Sequence, residues 1–445
     1  MNGAVAQADP LAIMRTRRFL AVLALAAAIG VVASLVAWGF LELLHELQVW
    51  VFTDLPDALG FERTPRWWSL PVLGLAGVVV AFAVARLPGE GGHRPSQGLA
   101  PDPIQPIALP GVVVAGAASI GLGVVLGPEA PLIAIGGGLG ILAVRLARHD
   151  APEELTNLIA ASGTFAALSF LFGSPLIAAV ILIEAAGLSG PRLPLVLVPG
   201  LLAAGIGSLV SIGMGSWTGV DTDDISLDPL PVPDFPRPDL VDFLWTVPLA
   251  AAVALVVFLI FHIARRTEPL ARSRPFLILP AIGLVVAGLA IAFSELADKG
   301  VEDVLYSGQE TIGPLVADEA SWSLTALALL IGFKGLAYAL SLSGFRGGPV
   351  FPAMLLGTAA GLMAAQLPGF EITPAVAVGL GASVVAILRL PLSAVVLAIL
   401  LCSSSAAGVS PVVVVGVVVA YLVTLALPEP GGAEIRKPST EGEAR

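Results

Sequence analysis

The chain has 445 residues, of which 57% are hydrophobic and only 12% are charged, and its mean hydropathy is +0.94. Soluble globular chains carry about 25% charged residues, so this composition excludes a soluble protein and predicts a polytopic membrane protein. The net charge of −11 argues against nucleic acid as a partner, and the single cysteine, Cys402, excludes an internal disulfide.

The first apolar segment, Phe19–Phe40, follows three arginines at positions 15, 17 and 18. At about 1.5 Å per residue it is long enough for one membrane span. Basic residues favour the cytoplasmic side, so we expect residues 1–18 to be a cytoplasmic segment of a multi-pass protein of the plasma (inner) membrane. The segment lacks a small-residue cleavage site, so no cleavable signal peptide is predicted.

The later apolar segments are uneven in length, which predicts an all-α membrane protein with broken helices. Segments of about 10 to 16 residues cannot comfortably cross a hydrocarbon core of ~30 Å, so short ones bounded by proline or glycine predict helices that end inside the protein. Ordinary spans with misdrawn borders are the alternative. The long segments include Leu193–Ile212, Val241–Ile263 and Trp322–Leu342; the short ones are Val112–Leu126, Pro131–Leu142, Pro175–Ile183, Val350–Met363 and Pro391–Cys402.

An acidic, proline-rich stretch at residues 219–239 interrupts the apolar segments near the middle of the chain and is predicted to be a solvated loop. It separates a first membrane repeat, residues 19–218, from a second, residues 240–427. The polar tail, residues 428–445, is too short for a regulatory domain.

Two pairs of segments resemble each other across this loop. "GPEAPLIAIGGGLG" (127–140) pairs with "GGPVFPAMLLGTAAG" (347–361), and "GSPLIAAVILIEAAG" (173–187) pairs with "LRLPLSAVVLAILLC" (388–402). Pro131 and Pro352 are 221 residues apart, and Pro175 and Pro391 are 216 apart. The similar offsets predict an internal duplication, with a chance match of alanine-, glycine- and proline-rich stretches as the alternative. Interrupted helices at matching places in two halves indicate a mid-membrane site in a transporter.

Glu129 lies between two prolines, directly after the charge-free run Val112–Leu126. A carboxylate in such surroundings is costly and needs a partner or a use. Proline is tolerated in the first turn of a helix, and converging helix starts in a dry core can hold an anion without a full positive charge. Our hypothesis is that Glu129 is a gate whose carboxylate competes with a permeating anion. A structural capping carboxylate is the alternative.

These motifs resemble the CLC family of chloride channels and proton–chloride exchangers over roughly residues 19 to 427. "GPEAP" (127–131) is similar to the family motif G-[KR]-E-G-P, whose glutamate is the gate, and "GGPVFP" (347–352) to G-G-x-F-x-P, whose amides bind the anion. The resemblance implies an inverted-repeat fold of many tilted and broken helices, a homodimer in the lipid bilayer with one pore per subunit, and chloride or a similar small anion as substrate. It implies no cofactor, no metal, no enzymatic activity and no CBS domain. The anion contacts that it implies are Gly127, Ala130, Gly348, Val350 and Phe351.

The family's serine-bearing loop G-S-G-x-P is degenerate here, as "GGHRPSQGLAPD" (91–102). One alignment makes Ser96 the hydroxyl that contacts the anion. The other matches Pro101 to the motif proline, which puts Gly98 at that position and leaves no hydroxyl. We favour Ser96.

Other departures concern charge and proton transfer. Pro128 replaces the usual lysine or arginine beside the gate, and Pro349 offers no N–H group. The helix that carries a glutamate pair in the family's exchangers has Glu184 at the first position, which is the more structural one, and Ala185 at the proton-handling position. This predicts passive or weakly coupled chloride movement, with coupled exchange by another proton route as the alternative.

The fluoride-exporting branch of the family carries threonine where this chain has Pro131, so chloride is the preferred substrate. The family's pore-lining tyrosine has no match in this chain. Tyr421 lies inside the last apolar span, where a packing role is expected.

Two hypotheses of other classes were weighed. "GLSG" (187–190) resembles the serine motif of rhomboid-type proteases, but Ser189 would need His262 as its base, and His262 stands beside two arginines at a membrane border. A proton-coupled transporter of another solute would need several intramembrane ionisable residues. The candidates are Glu129 and Glu184, with Glu295 and Lys334 less certain.

Three further residues, His45, Arg346 and Arg389, are interpreted without a catalytic or metal-binding role. His45 beside Glu42 and Glu46 is expected to be an interfacial helix end rather than a metal site. Arg346 and Arg389 either raise the local anion concentration or snorkel at the membrane border.

Overall fold

The computed structural model describes residues 10–99, 103–148, 150–187, 190, 193–218 and 227–428. These residues form α-helices joined by short loops and single turns of other helix types, and nine of the helical segments are long and apolar enough to cross a membrane. The helices are α1 (Pro10–Met14), α2 (Arg17–Val49), α3 (Leu55–Ala58), α4 (Ser69–Arg86), α5 (Leu109–Ile120), α6 (Glu129–Ala147), α7 (Glu153–Leu171), α8 (Pro175–Ala185), α9 (Leu193–Thr218), α10 (Leu240–Ser273), α11 (Pro275–Ala297), α12 (Gln309–Ala317), α13 (Leu324–Leu342), α14 (Val350–Ala364), α15 (Ile372–Leu388), α16 (Pro391–Leu401) and α17 (Ala406–Ala426).

Three of the long helices begin at residues whose side chains accept from free backbone N–H groups. Thr16 accepts from the Phe19 amide at the start of α2, Ser323 accepts from the Ala326 amide at the start of α13, and Asp239 forms a capping box with Asp242 at the start of α10. The 34 residues of α10 extend about 50 Å, well beyond a ~30 Å hydrocarbon core, so this helix is tilted or projects from the membrane.

The broken helices occur where proline and glycine interrupt the apolar runs. Helix α5 stops at Ile120, before the predicted end of its segment, and α8, α14 and α16 have only 11, 15 and 11 residues. The segment predicted as Pro131–Leu142 differs from expectation: its helix, α6, has 19 residues because it begins at Glu129 and continues to Ala147.

The two halves contain the same helix crossing. A Cβ atom on Gly136 of α6 would lie 2.4 Å from the Gly163 carbonyl oxygen on α7, and one on Gly357 of α14 would lie 2.3 Å from the Gly379 carbonyl oxygen on α15. Only glycine allows the backbones to approach this closely. Gly136 and Gly357 are 221 residues apart, and Gly163 and Gly379 are 216 apart, so the offsets equal those of the proline pairs. The predicted all-helical fold with an internal repeat is confirmed.

The described part of the central loop, residues 227–239, is exposed at its aspartates and at most of its prolines, but its apolar side chains are not. Its apolar side chains, Leu227, Leu230, Val232 and Phe235, are buried. The Leu230 amide donates to the Leu401 carbonyl at 2.7 Å, and the Phe235 amide donates to Ser405 Oγ at 2.8 Å. These apolar side chains and backbone hydrogen bonds anchor the loop to the end of α16 and the start of α17.

Candidate functional site

The starts of α6 and α14 meet inside the protein. Gly127 and Gly348, which immediately precede the N-cap prolines of these helices, form an antiparallel pair: the Gly127 amide donates to the Gly348 carbonyl at 2.8 Å, and the Gly348 amide donates back at 2.5 Å. This pairing satisfies backbone groups that would otherwise be unpaired where both helices are broken. It fixes the two helix starts relative to each other.

Glu129, the first residue of α6, places its carboxylate on the start of α14. Its side chain is 0% exposed, and Oε1 accepts from the Val350 amide at 2.6 Å and from the Phe351 amide at 3.2 Å. Among the described residues, Oε2 has no hydrogen-bond partner. One oxygen is therefore held by the positive end of a helix dipole, while the other is buried without compensation.

The two paired glycines leave the room that this carboxylate needs. A Cβ atom on Gly127 would lie 2.1 Å from Glu129 Oε2, and one on Gly348 would lie 2.0 Å from the same atom. Any other residue at either position would collide with the carboxylate in its present place. The glycines of both motifs are thus required by the position of Glu129 itself.

Buried side chains hold the α14 start in place. Tyr338 on α13 donates its hydroxyl to the Pro349 carbonyl at 2.6 Å, and the Phe351 ring stacks on Phe172 with centroids 5.8 Å apart. Sequence reasoning missed Tyr338, because a tyrosine inside an apolar helix carries no pattern that distinguishes it from packing.

Arg346, at the loop before α14, is buried rather than snorkelling. Its Nε donates to the Glu90 carbonyl at 3.1 Å, and its Nη1 donates to the Gly344 carbonyl at 2.8 Å. Burial lowers the pKa of the guanidinium to about 10, so it stays charged at neutral pH. The arginine therefore ties this loop to the turn that follows α4.

The 96–98 loop lines a separate cavity of about 190 Å³, together with Arg265 on α10 and Arg389 at the end of α15. Ser96 is buried and donates its hydroxyl to Glu268 Oε2 at 2.7 Å, while Gly98 has a φ of +80°, which favours glycine. The polar contacts of Glu129 among the described residues come from the α14 start and not from this loop. The choice between Ser96 and Gly98 as an anion contact stays a prediction.

Glu184, at the end of α8, is bonded to the start of α16. Its Oε1 accepts from the Leu392 amide at 2.9 Å, and its Oε2 accepts from the Ser393 amide at 2.7 Å and the Ser393 hydroxyl at 2.6 Å. Both oxygens are therefore engaged. Ala185, the next residue, ends α8.

A second cavity, of about 310 Å³, reaches Pro128 from the other side of the membrane. We name the cavity with Arg265 the inner cavity and this one the outer cavity, after the orientation that the positive-inside tendency predicts. The inner cavity lies near the C-terminal end of α10. Helix α11, which is long enough to cross a membrane, then leads to the loop of Glu302 and Asp303, which lines the outer cavity. Burial, with a smaller contribution from Glu302, raises the pKa of Asp303 to about 6. His45, predicted to lie at an interfacial helix end, has Nδ1 3.9 Å from Glu310 Oε1 at this cavity.

The protease hypothesis gains nothing from the structure. Ser189 lies outside the described residues. His262 is on α10, where its ring lies 5.7 Å from that of Phe258. Glu295, one of the candidates for a proton-coupled transporter, is an exposed residue paired with Arg66.

Broken helices from two repeats that meet at a buried carboxylate, with a cavity that reaches the neighbouring Pro128, define a membrane transport protein. Residues 92–425 match the sequence profile described as "Voltage gated chloride channel". Because the match spans most of the chain, the chain belongs to this family.

Comparisons with individual proteins agree with this family assignment. The chain is 30% identical over 359 residues to the "Putative ion-transport protein YfeO" of Shigella boydii serotype 4, covering 78% of this chain and 80% of that protein. It is 29% identical, with the same coverage, to the protein of that name from Escherichia fergusonii.

Two solved structures share the fold. One is described as a slow cyanobacterial Cl⁻/H⁺ antiporter, with a TM-score of 0.69 at 20% identity, covering 91% of this chain and 94% of that one. The other is described as a CLC-type fluoride/proton antiporter, with a TM-score of 0.67 at 19% identity, covering 91% and 95%. The predicted family and inverted-repeat fold are confirmed.

Proposed function

We propose that the protein moves chloride across the membrane and that the anion occupies the place now held by the Glu129 carboxylate. The observation that carries this proposal is the pair of hydrogen bonds from the Val350 and Phe351 amides to Glu129 Oε1. A carboxylate oxygen and a chloride ion are both anionic acceptors, and the start of α14 can bind either. Gly127, Ala130 and Gly348 are the neighbouring contacts that we propose for the bound ion.

Gating follows from the competition between the two anions. While Glu129 is ionised, its carboxylate fills the site and is held by two amides. Protonation removes its charge and weakens both hydrogen bonds, so chloride can displace it. The uncompensated burial of Oε2 favours this release, because the free oxygen loses nothing when the side chain leaves.

The inner cavity is the route that we propose for chloride between the Glu129 site and the side of the membrane opposite the outer cavity. Arg265 and Arg389 line it, and Ser96 and Gly98 lie at its wall. Two guanidinium groups at the entrance raise the local concentration of anions. The positive-inside tendency assigns this side to the cytoplasm, with the N-terminal segment, in the plasma (inner) membrane.

We further propose a homodimer, as the family resemblance implies, and passive or weakly coupled transport. Ala185 cannot carry a proton, and both oxygens of Glu184 are engaged at α16. Coupled exchange of chloride or fluoride for protons is the second candidate, because the two structural relatives are described as proton antiporters. Pro131 favours chloride over fluoride.

Chloride efflux from proteoliposomes tests the gating role. Wild-type efflux is expected to rise several-fold as the pH falls from 7.5 to 4.5, because protonation empties the site. Glu129→Gln carries no charge at any pH and is expected to give efflux that is nearly independent of pH. Glu295→Gln is the matched control, since it neutralises an exposed carboxylate far from the site. If Glu129→Gln and Glu129→Ala both kept the wild-type pH response, the gating role would be wrong.

A further inference from the structure

Lys334 is a buried ammonium group on α13 that has no part in the mechanism above. Its side chain is 0% exposed. Nζ donates to the carbonyl oxygens of four consecutive residues, Asp303, Val304, Leu305 and Tyr306, at 3.0, 3.2, 2.9 and 3.4 Å. These residues belong to the loop between α11 and α12. The ammonium group is therefore enclosed by backbone oxygens.

The carbonyl oxygens satisfy the donors of this group but bring no net negative charge. Within the described residues, no carboxylate oxygen lies within 4 Å of Lys334 Nζ; Asp303, at longer range, is the acidic group that acts on it electrostatically. An ammonium group buried with no carboxylate in contact is costly, and methionine would fill a similar volume without that cost. The charge itself is therefore the feature that needs an explanation.

Two chains of contacts connect Lys334 to the anion site. Tyr338 is one helical turn further along α13, and its hydroxyl holds the Pro349 carbonyl at the N-cap of α14. The carbonyls that bind Lys334 belong to the loop whose outer surface, with Pro128, lines the outer cavity. The ammonium group thus stands behind the wall of the cavity that leads to Glu129.

We propose that Lys334 is the fixed positive charge that raises anion occupancy at the start of α14. Pro128, beside Glu129, carries no charge, so the cation of this site comes from a different helix. Because charges inside a protein are screened less than charges in water, a fixed ammonium group there acts on an anion that it does not touch. Asp303 is the acidic group that acts on Lys334 electrostatically, and a bound chloride would be a second negative charge opposite it. This inference rests on the proposed function.

A purely structural role for Lys334, as a clamp on the 303–306 loop, makes different predictions. Gly308 provides the matched control. A Cβ atom on Gly308 would lie 2.6 Å from Leu355 Cδ2 and 3.3 Å from Lys334 Cε, and its φ of +84° is unfavourable for other residues. Gly308→Ala therefore disturbs the same packing and leaves the charge in place.

The experiment is calorimetric titration of the purified, detergent-solubilised protein with chloride, at constant ionic strength set by tartrate. Lys334→Met is expected to raise the Kd for chloride about tenfold. Asp303→Asn removes the opposing charge and is expected to lower the Kd about threefold. Gly308→Ala is expected to lower the unfolding temperature and leave the Kd within about twofold of wild type.

The inference predicts that the Kd for chloride rises in Lys334→Met and falls in Asp303→Asn. An unchanged Kd in folded Lys334→Met, or an equal loss of affinity in Gly308→Ala, would overturn the inference. If Lys334→Met does not yield folded protein, the test rests on Asp303→Asn. An unchanged or higher Kd for chloride in Asp303→Asn would then overturn the inference. Wild-type protein that binds no chloride contradicts the proposed function instead, so the two failures are distinguishable.

Discussion

Glu129 and Glu184 make the same kind of contact with different consequences. Each comes from the first half of the chain and accepts from two consecutive amides at the start of a second-half helix. Glu129 is fully buried and leaves Oε2 unpartnered, whereas Glu184 is half-buried and uses both oxygens. A group that can leave its site at little cost suits a gate. A group with three hydrogen bonds suits a cap.

Glu184 is therefore expected to contribute to stability and not to proton transfer. Glu184→Ala leaves the Leu392 and Ser393 amides without their acceptor and is expected to cost about 1–2 kcal/mol. Glu184→Gln keeps one acceptor oxygen and is expected to cost less. Thermal unfolding in detergent measures the stability, and chloride efflux at pH 4.5 and 7.5 measures the function. A changed pH response of efflux in folded Glu184→Gln would show that this carboxylate handles protons.

The sequence identifies these two carboxylates because a charge inside an apolar run is conspicuous. The motif at 347–352 also indicates Val350 and Phe351, whose amides hold Glu129. The sequence does not identify the contacts of Lys334 and Tyr338. The acceptors of Lys334 are backbone oxygens 28 to 31 residues away, and the acceptor of Tyr338 is a backbone oxygen 11 residues away. Backbone oxygens are the same for every residue type, so no side-chain pattern reports such contacts.

Among the elements, the crossings of α6 with α7 and of α14 with α15 depend on paired glycines. The prolines predicted the offset between the halves. They did not predict that Gly136 meets Gly163, or that Gly357 meets Gly379. Glycine is abundant in this chain, with 49 residues, so its presence alone does not show where backbones touch.

Gly357→Ala is expected to destabilise the protein by about 1–3 kcal/mol, because the new Cβ atom would lie 2.3 Å from the Gly379 carbonyl oxygen and neither backbone can yield easily. The matched control is Gly332→Ala on α13, which meets nothing within 4 Å and improves helix propensity by about 0.5–1 kcal/mol. The unfolding temperature of both variants in detergent is the measurement. Equal shifts for the two variants would show that the close crossing carries no special stability.

Residues 227–239 show what composition leaves out. The aspartates and most of the prolines in this stretch are exposed, in line with the solvated loop that the sequence predicts, but its four apolar side chains are buried. Thr373 adds a hydrogen bond from its hydroxyl to the Pro233 carbonyl at 2.7 Å. Which face of an extended segment is covered depends on tertiary contacts that composition does not encode.

On the scale of the whole molecule, the two cavities differ in charge. The inner cavity carries Arg265 and Arg389, and the outer one carries Glu302, Asp303 and Glu310 with His45. Anions are thus favoured on one side, and proton-binding groups are concentrated on the other. This asymmetry makes the outer cavity the more direct source of protons for Glu129, whichever way chloride moves.

Protons can cross the membrane only if a group between Glu129 and the inner side accepts them. Otherwise they reach Glu129 and return. Ala185 cannot accept a proton, and Glu184 is held by three hydrogen bonds, so we expect passive or weakly coupled chloride movement. The measurement is the reversal potential of proteoliposomes under opposed chloride and proton gradients. A value that follows the chloride gradient alone is expected, with acid pH raising the rate of flux and leaving the potential unchanged. A potential that shifts with the proton gradient at fixed stoichiometry would contradict this and show coupled exchange. In that case, loss of the shift in Glu184→Gln would assign the inner route to Glu184, and its persistence would assign the route to water in the inner cavity.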